Sequence, residues 1–214
     1  MDYILNSKSS FIVNNIITTI QDNKDYLSEI DGAIGDGDHG INMNKGFTIC
    51  KERIDGKVIS LSESLKVLGR VLLMEIGGSM GPLYGTFFIE MSKVIKDIEK
   101  IDQVIFKDML KSAELGLETI GKAKIGDKTL MDTLIPAVEA LEKALVEDKN
   151  FSEVLKDMKI AAEAGKESTR DLVARIGRAS RLGERSRGVL DAGSVSCNLI
   201  LQSIADSIIL ELGK

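Results

Sequence analysis

Apolar residues recur at helical spacing along nearly the whole of this 214-residue chain, and no convincing strand alternation appears. The spacing predicts eight helices, at about 7–28, 40–53, 61–76, 82–99, 103–121, 129–147, 151–176 and 193–212. Short connections make successive helices antiparallel, so odd-numbered junctions gather at one end and even-numbered ones at the other. The even junctions, near 54–60, 100–102 and 148–150, are short and polar. The odd ones are DGAIGDGDHG (31–40), GGSMGP (77–82), KAKIGDKT (122–129) and RIGRASRLGERSRGVLDAG (175–193). Every glycine-rich junction therefore falls at the same end. The expectation is one all-α domain, 1–214, built as a barrel or bundle of eight antiparallel amphipathic helices with its site at that end. No internal repeat, low-complexity tract or linker divides it.

The first junction sets the chemistry. Asp31, Asp36 and Asp38 stand there among four glycines. At ~4 Å and an effective dielectric near 20, each like-charged pair costs on the order of 4 kcal/mol. Such a cluster needs a cation, and all-oxygen ligands select a hard one such as magnesium or calcium. Capping and turn formation account for one or two of these aspartates, not for all three with their glycines. His39, the single histidine, follows directly; alone, such a residue is more often structural than chemical. Its N–H, with those of Gly40, Ile41 and Asn42, is expected at a helix start, where phosphate binds well.

The other odd junctions point the same way. In GGSMGP, Ser79 is expected to cap a helix that has Pro82 in its first position. The N–H groups of Gly78, Ser79, Met80 and Gly81 make a second phosphate cradle, or else a plain tight turn. Gly126-Asp127-Lys128-Thr129 reads locally as a helix cap, and Pro136 predicts a kink or a late helix start. The last junction carries Arg175, Arg178, Arg181, Arg185 and Arg187, balanced only by Glu184 within 175–187. Arginine forks take phosphate oxygens in pairs, and loops this long are commonly lids or binding loops. A solvated charge run is the plain alternative. Asp191-Ala192-Gly193 opens the final helix, with Ser194 as its expected cap.

Two motif matches fail. Gly35-x-Gly37-x-x-Gly40 fits the dinucleotide fingerprint, but no strand precedes it, and Asp36 and Asp38 repel a bare pyrophosphate. GLETIGK (116–122) begins like a Walker A loop, yet Ala123 stands where Ser or Thr is required. A formal charge of −5 with no basic tract argues against nucleic acid. Apolar residues make up 43% and aromatics 4%, so a core of Leu, Ile, Val, Met and Ala is expected. Cys50 and Cys197 are too few for a disulfide framework and are expected as buried free thiols. No signal pattern opens the chain, and no apolar run approaches the ~20 residues of a membrane span. The cytoplasm is the expected location, with no membrane partner.

Four separated motifs, IGDGDHGINMNKGF (34–47), GGSMGPLYGTFF (77–88), GDKTLMDTLIPA (126–137) and GRASRLGERSRGVLDAG (177–193), together resemble the L subunit of dihydroxyacetone kinase, essentially end to end. The resemblance implies an eight-helix antiparallel barrel with a nucleotide, ADP or ATP, at one end. It implies that Asp31, Asp36 and Asp38 hold two magnesium ions (Mg2+) that bridge the phosphates. His39, Gly40, Ile41, Asn42, Ser79 and Met80 then fall on nucleotide contacts. Gly121 and Leu130, which come from the resemblance alone, fall beside the base and ribose. Arg178 with Asp191, Ala192 and Gly193 closes over the nucleotide. Met80 departs from the usual serine, Ala192 from the usual proline and Val195 from a small residue, which leaves the phosphate chemistry intact and the exact substrate open.

The same resemblance implies a phosphotransferase subunit without a covalent protein intermediate, acting by positioning and charge neutralisation. The acceptor, dihydroxyacetone or a related keto-sugar such as erythrulose, is expected on a separate K subunit. A free-standing L subunit points to the phosphoenolpyruvate-driven version, recharged by a phosphohistidine carrier, the M subunit. Competing readings are an ATP-driven relative for another substrate such as a fatty acid, a nucleotide-state sensor that binds a transcription factor, and a calcium-binding scaffold. An EF-hand is disfavoured, because Gly40 sits where a ligand belongs.

Overall fold

The computed structural model describes residues 2–214 and, among them, nine α-helices and two short strands. The order is β1 (Tyr3–Leu5), a 3-10 turn (Asn6–Lys8), α1 (Phe11–Asp22), α2 (Lys24–Ile34), α3 (His39–Ile54), α4 (Leu61–Glu75) and α5 (Met80–Val94). There follow β2 (Lys100–Asp102), α6 (Gln103–Gly121), α7 (Met131–Val146), α8 (Phe151–Ser168), 3-10 turns at Thr169–Asp171 and Arg178–Ser186, and α9 (Ala192–Leu212). Each helix packs on the next, and α9 packs back on α1, which closes the ring. Counting α1 and α2 as one run, this is the expected antiparallel barrel of eight. Ile16, Leu27, Phe47, Leu68, Phe88, Leu110, Leu134, Leu155 and Ile204 bring every helix into one buried cluster. Each such side chain contributes about 1.5–3 kcal/mol by leaving water. Aromatic rings belong to that core as well: Phe87 and Phe88 meet edge-on at 5.0 Å.

Two departures from the expected helices come from polar side chains, while α5 runs Met80–Val94 rather than 82–99. The first expected helix is two, because Asn23 turns its side chain onto the carbonyl of Thr19 at 2.8 Å and leaves helical geometry. Beyond it α2 continues to Ile34, so Asp31 lies in a helix and not in a loop. α8 stops at Ser168 rather than 176, where the hydroxyls of Ser168 and Thr169 donate back to Gly165 and Lys166, each at 2.7 Å. Pro136 falls in the second turn of α7, which starts at Met131. A Cβ on Gly165 would lie 2.3 Å from the Asp132 carbonyl, so α8 passes that turn at backbone contact.

The far end is closed by an element too short to show alternation. β1 and β2 pair antiparallel with Ile4 opposite Ile101. Behind them the buried Asn6 amide donates to the carbonyls of Ile95 (2.7 Å) and Ile98 (2.8 Å), and accepts from the Ser62 N–H (2.9 Å). Cys50 and Cys197 are buried free thiols, as expected. By length and composition α9 does reach what a membrane span requires, contrary to the sequence expectation, but 61% of its most apolar stretch is buried inside the barrel.

Candidate functional site

Asp31 projects from the last turn of α2, Asp36 and Asp38 from the turn that follows, and carboxylate oxygens of all three lie within 4.8 Å of one another. The glycines explain how three acids come so close. A Cβ on Gly35 would stand 2.3 Å from Asp31 Oδ1, in the space the carboxylate fills. Gly37 takes φ of 76°, where side chains are strained. A Cβ on Gly40 would stand 1.9 Å from the Lys24 carbonyl, so the start of α3 is pressed onto the α2 backbone. An all-oxygen donor set of this kind suits a hard divalent cation.

Helix starts differ between the two ends of the barrel. At the far end, Ser60 with Glu63 and Asn150 with Glu153 form capping boxes on α4 and α8, and Asp102 caps α6. At the site end Asp191 caps α9 and the Thr129 hydroxyl accepts the Met131 N–H at 3.2 Å where α7 starts, but Asp38 and Ser79, which precede α3 and α5, make no side-chain cap. The His39 N–H donates to Asp31 Oδ2 at 3.3 Å and the Asn42 N–H to the Asp38 carbonyl at 2.9 Å. That leaves the N–H groups of Gly40 and Ile41 as the ones at the start of α3 with no acceptor among the described residues, so Asn42 does not offer its N–H as expected. Open N–H groups at a helix start attract anions. Three carboxylates alongside mean that an anion binds here only with cations between. α5 begins at Met80 and not at Pro82, and the exposed Ser79 hydroxyl makes no cap.

The connection from α8 to α9 is anchored rather than loose. Lys128, only 2% exposed, donates from Nζ to the carbonyls of Thr169 (2.6 Å), Leu172 (3.2 Å) and Val189 (2.5 Å). Buried Ser186 accepts from the Ala174 N–H at 2.9 Å, and Arg187 donates to the Asp171 carbonyl at 2.5 Å. Arg175 lies 3.8 Å from Asp127, and Arg178 forms an ion pair with Asp36. Arg181 and Arg185 are exposed and enter no ion pair among the described residues.

The His39 ring is tied into a buried chain. Its Nε2 lies 2.8 Å from Ser196 Oγ, which lies 2.6 Å from the Tyr84 hydroxyl, and Tyr84 donates to the Gly193 carbonyl at 2.9 Å. Burial pulls the imidazole down to about 4 against the pull of Asp31, so it is neutral near pH 7 and joins α3, α5 and α9. Asp191, not Ser194, caps α9, accepting the Ser194 N–H at 2.7 Å. Burial pushes the Asp191 carboxyl up to about 7, with Ser194 holding it back. Ser194 Oγ instead meets Thr133 Oγ1 at 2.6 Å.

Leu130 borders Gly193, where a Cβ would stand 3.5 Å from the Leu130 nitrogen, and Ala192 opens α9. Gly121 ends α6, where a Cβ would meet Leu83 at 3.7 Å. Residues from all four odd junctions thus share one end, as the alternation predicts. Sequence reasoning missed Lys128, Tyr84 and Ser196. The first sat in a motif read as a helix cap, and the others lie on core-facing helix positions.

A family model described as the DAK2 domain matches residues 33–206. The ADP-binding subunit DhaL of PEP-dependent dihydroxyacetone kinase 1 from Listeria innocua is 38% identical over 90% of this chain and 91% of that subunit. Its counterpart in the PEP-dependent dihydroxyacetone kinase of Escherichia coli K12 is 36% identical over 85% of this chain and 87% of that one. The crystal structure of the dihydroxyacetone kinase from C. freundii, in complex with AMP-PNP and Mg2+, matches with a TM-score of 0.69 at 23% identity. That likeness of fold covers 94% of this chain, which spans about a third (34%) of the kinase.

Proposed function

Because this chain belongs to the DAK2-domain family and, within it, to the L subunits of dihydroxyacetone kinase, we propose that it is the nucleotide-binding phosphotransferase subunit of such a kinase. As one domain, 1–214, it transfers a phosphoryl group from bound nucleotide to a hydroxyl of dihydroxyacetone, or of a related small keto-sugar, on a separate K subunit. A phosphorus–oxygen bond to the nucleotide breaks as one to the sugar oxygen forms. The subunit is recharged by a phosphohistidine carrier, the M subunit, fed by phosphoenolpyruvate. The names of the relatives, ADP-binding subunits of PEP-dependent kinases, support this route. The cytoplasm, where phosphoenolpyruvate is made, is the proposed location.

One observation carries the reading: three carboxylates within 4.8 Å of one another stand beside the uncapped start of α3. Asp31, Asp36 and Asp38 would hold two magnesium ions, which neutralise polyphosphate charge when bound. Gly40 and Ile41 offer N–H donors to phosphate oxygens, with His39, Asn42, Ser79 and Met80 around them. Gly121 and Leu130 flank the base and ribose, and Asp191, Ala192 and Gly193, beside Leu130, close over the nucleotide together with Arg178. Arg178 offsets charge that develops on the moving phosphoryl group.

The test is reconstitution with ADP, magnesium and phosphoenolpyruvate. Dihydroxyacetone phosphate should form only when K and carrier subunits are both present. Tight magnesium-dependent ADP binding without any transfer to the sugar would favour a nucleotide sensor instead.

A further inference from the structure

Among the described residues, Lys128 is the only lysine or arginine in the buried set, and nothing in the proposed chemistry uses it. Its backbone is left-handed, with φ of 64°, a conformation that a residue with a side chain adopts at a cost. Asp132 holds that turn, accepting the N–H groups of Gly126 (2.6 Å) and Thr129 (2.7 Å) on its two oxygens. Among the described residues no carboxylate lies within ion-pair distance of the Lys128 ammonium, although Asp191 and Asp132 are near enough to act on it electrostatically. Its three hydrogen bonds go to the carbonyls of Thr169, Leu172 and Val189. An ammonium has three N–H donors, so all are spent on one loop. Two acceptors precede the arginine segment and one follows it, so the two feet of the loop meet on one side chain.

We infer that Lys128 is a positioning residue: it staples both feet of the 169–191 loop to the turn before α7, and so sets where Arg178 and the Asp191–Gly193 turn stand over the acidic cluster. Charge-assisted bonds of this kind are the strong ones, and an apolar side chain at 128 would leave the Leu172 and Val189 carbonyls without a donor and Thr169 with only the Leu172 N–H at 3.3 Å. Only the last step, the effect on phosphoryl transfer, rests on the function proposed above.

The test is Lys128→Met in the full chain, similar in length and without charge. Amide exchange across 169–191 and tryptic cleavage after Arg178, Arg181 and Arg185 should each rise by roughly tenfold or more, while α4, α5 and α6 exchange as in the wild type. In the reconstituted system the transfer rate should fall by roughly tenfold, and more than ADP affinity does, because Arg178 is misplaced rather than lost. Unchanged loop exchange overturns the staple; a loosened loop with an unchanged transfer rate overturns the positioning role. If the wild type binds no magnesium–ADP, the nucleotide reading fails while the loop result stands. Should the variant not fold, Lys128→Gln decides, because its neutral amide has two N–H donors for the three carbonyls. Exchange across 169–191 should still rise severalfold, and wild-type exchange overturns the inference.

Discussion

The guanidinium of Arg178 rests on the carboxylate of Asp36, so the loop before α9 is closed onto the turn before α3. The arginine thus offsets the charge of one of the three clustered aspartates. Both side chains are about half exposed, so the pair is worth no more than about 1 kcal/mol. Arg178→Ala should therefore leave magnesium binding to the free protein unchanged or up to about fivefold tighter. Phosphoryl transfer should slow by about 10²- to 10³-fold, the loss expected when one charge-stabilising donor is removed. Calorimetric titration and reconstituted turnover separate the two effects. Weakened nucleotide affinity with an unchanged rate would reduce Arg178 to a clamp.

Asp36→Asn and Asp38→Asn should act oppositely on the free and the loaded protein. Each removes like-charge repulsion, so the melting temperature without ligand should hold or rise. Each also removes an ionic ligand, so the stabilisation by magnesium–ADP should vanish. For the wild type at a hundred times the dissociation constant that stabilisation is about 2.7 kcal/mol, or roughly 5–10 °C in a chain of this size. Thermal melts with and without magnesium decide it, and a retained ADP shift in either variant contradicts the assignment.

The fold was legible where local signals agreed with packing. α6 spans the expected 103–121, because Asp102 caps it and an apolar stripe runs through it. The acidic cluster was legible because its cost is electrostatic and follows from three aspartates within eight residues. Other features were not. The break at Asn23 and the early end of α8 come from side chains that compete for helix carbonyls, which helical spacing does not register. β1 and β2 are three residues each and pair across the chain, so neither has a visible period. Lys128 was hidden more deeply: a lysine in a loop reads as solvated, and only its distant carbonyl partners make it a buried staple.

Asp191 gives a pH dependence whose sign follows from burial. Its carboxyl titrates at about 7 in the folded protein, against roughly 4 in the unfolded chain. Between these values the folded form keeps a proton that the unfolded chain has lost. Its contribution is thus full below about pH 4 and is lost as the pH rises to about 7, by up to about 4 kcal/mol. Asp191→Asn keeps an equivalent helix cap and removes the titration. Urea midpoints from about pH 4.5 to about 7.5 should show the wild type losing stability relative to the variant as pH rises. A flat difference would mean that the carboxylate is already ionised throughout.

Gly40 and Gly77 stand in two of the glycine-rich junctions, and their surroundings predict different fates. A Cβ at 40 would overlap the Lys24 carbonyl at 1.9 Å, and that carbonyl is backbone, which cannot rotate away. Gly40→Ala should push α3 off α2 at a cost of about 1–3 kcal/mol, or roughly 3–10 °C in melting temperature. The same displacement parts Asp31 from Asp36 and Asp38, so magnesium–ADP should no longer raise the melting temperature of whatever remains folded. At 77 nothing lies within 4 Å of the added methyl and φ is not positive, so Gly77→Ala should stay within about 0.5 kcal/mol of the wild type and keep the full ligand shift. Paired melts of the two variants check both halves. Equal, small losses at the two positions would mean that α2 and α3 can separate freely, and that the acidic cluster does not depend on their contact.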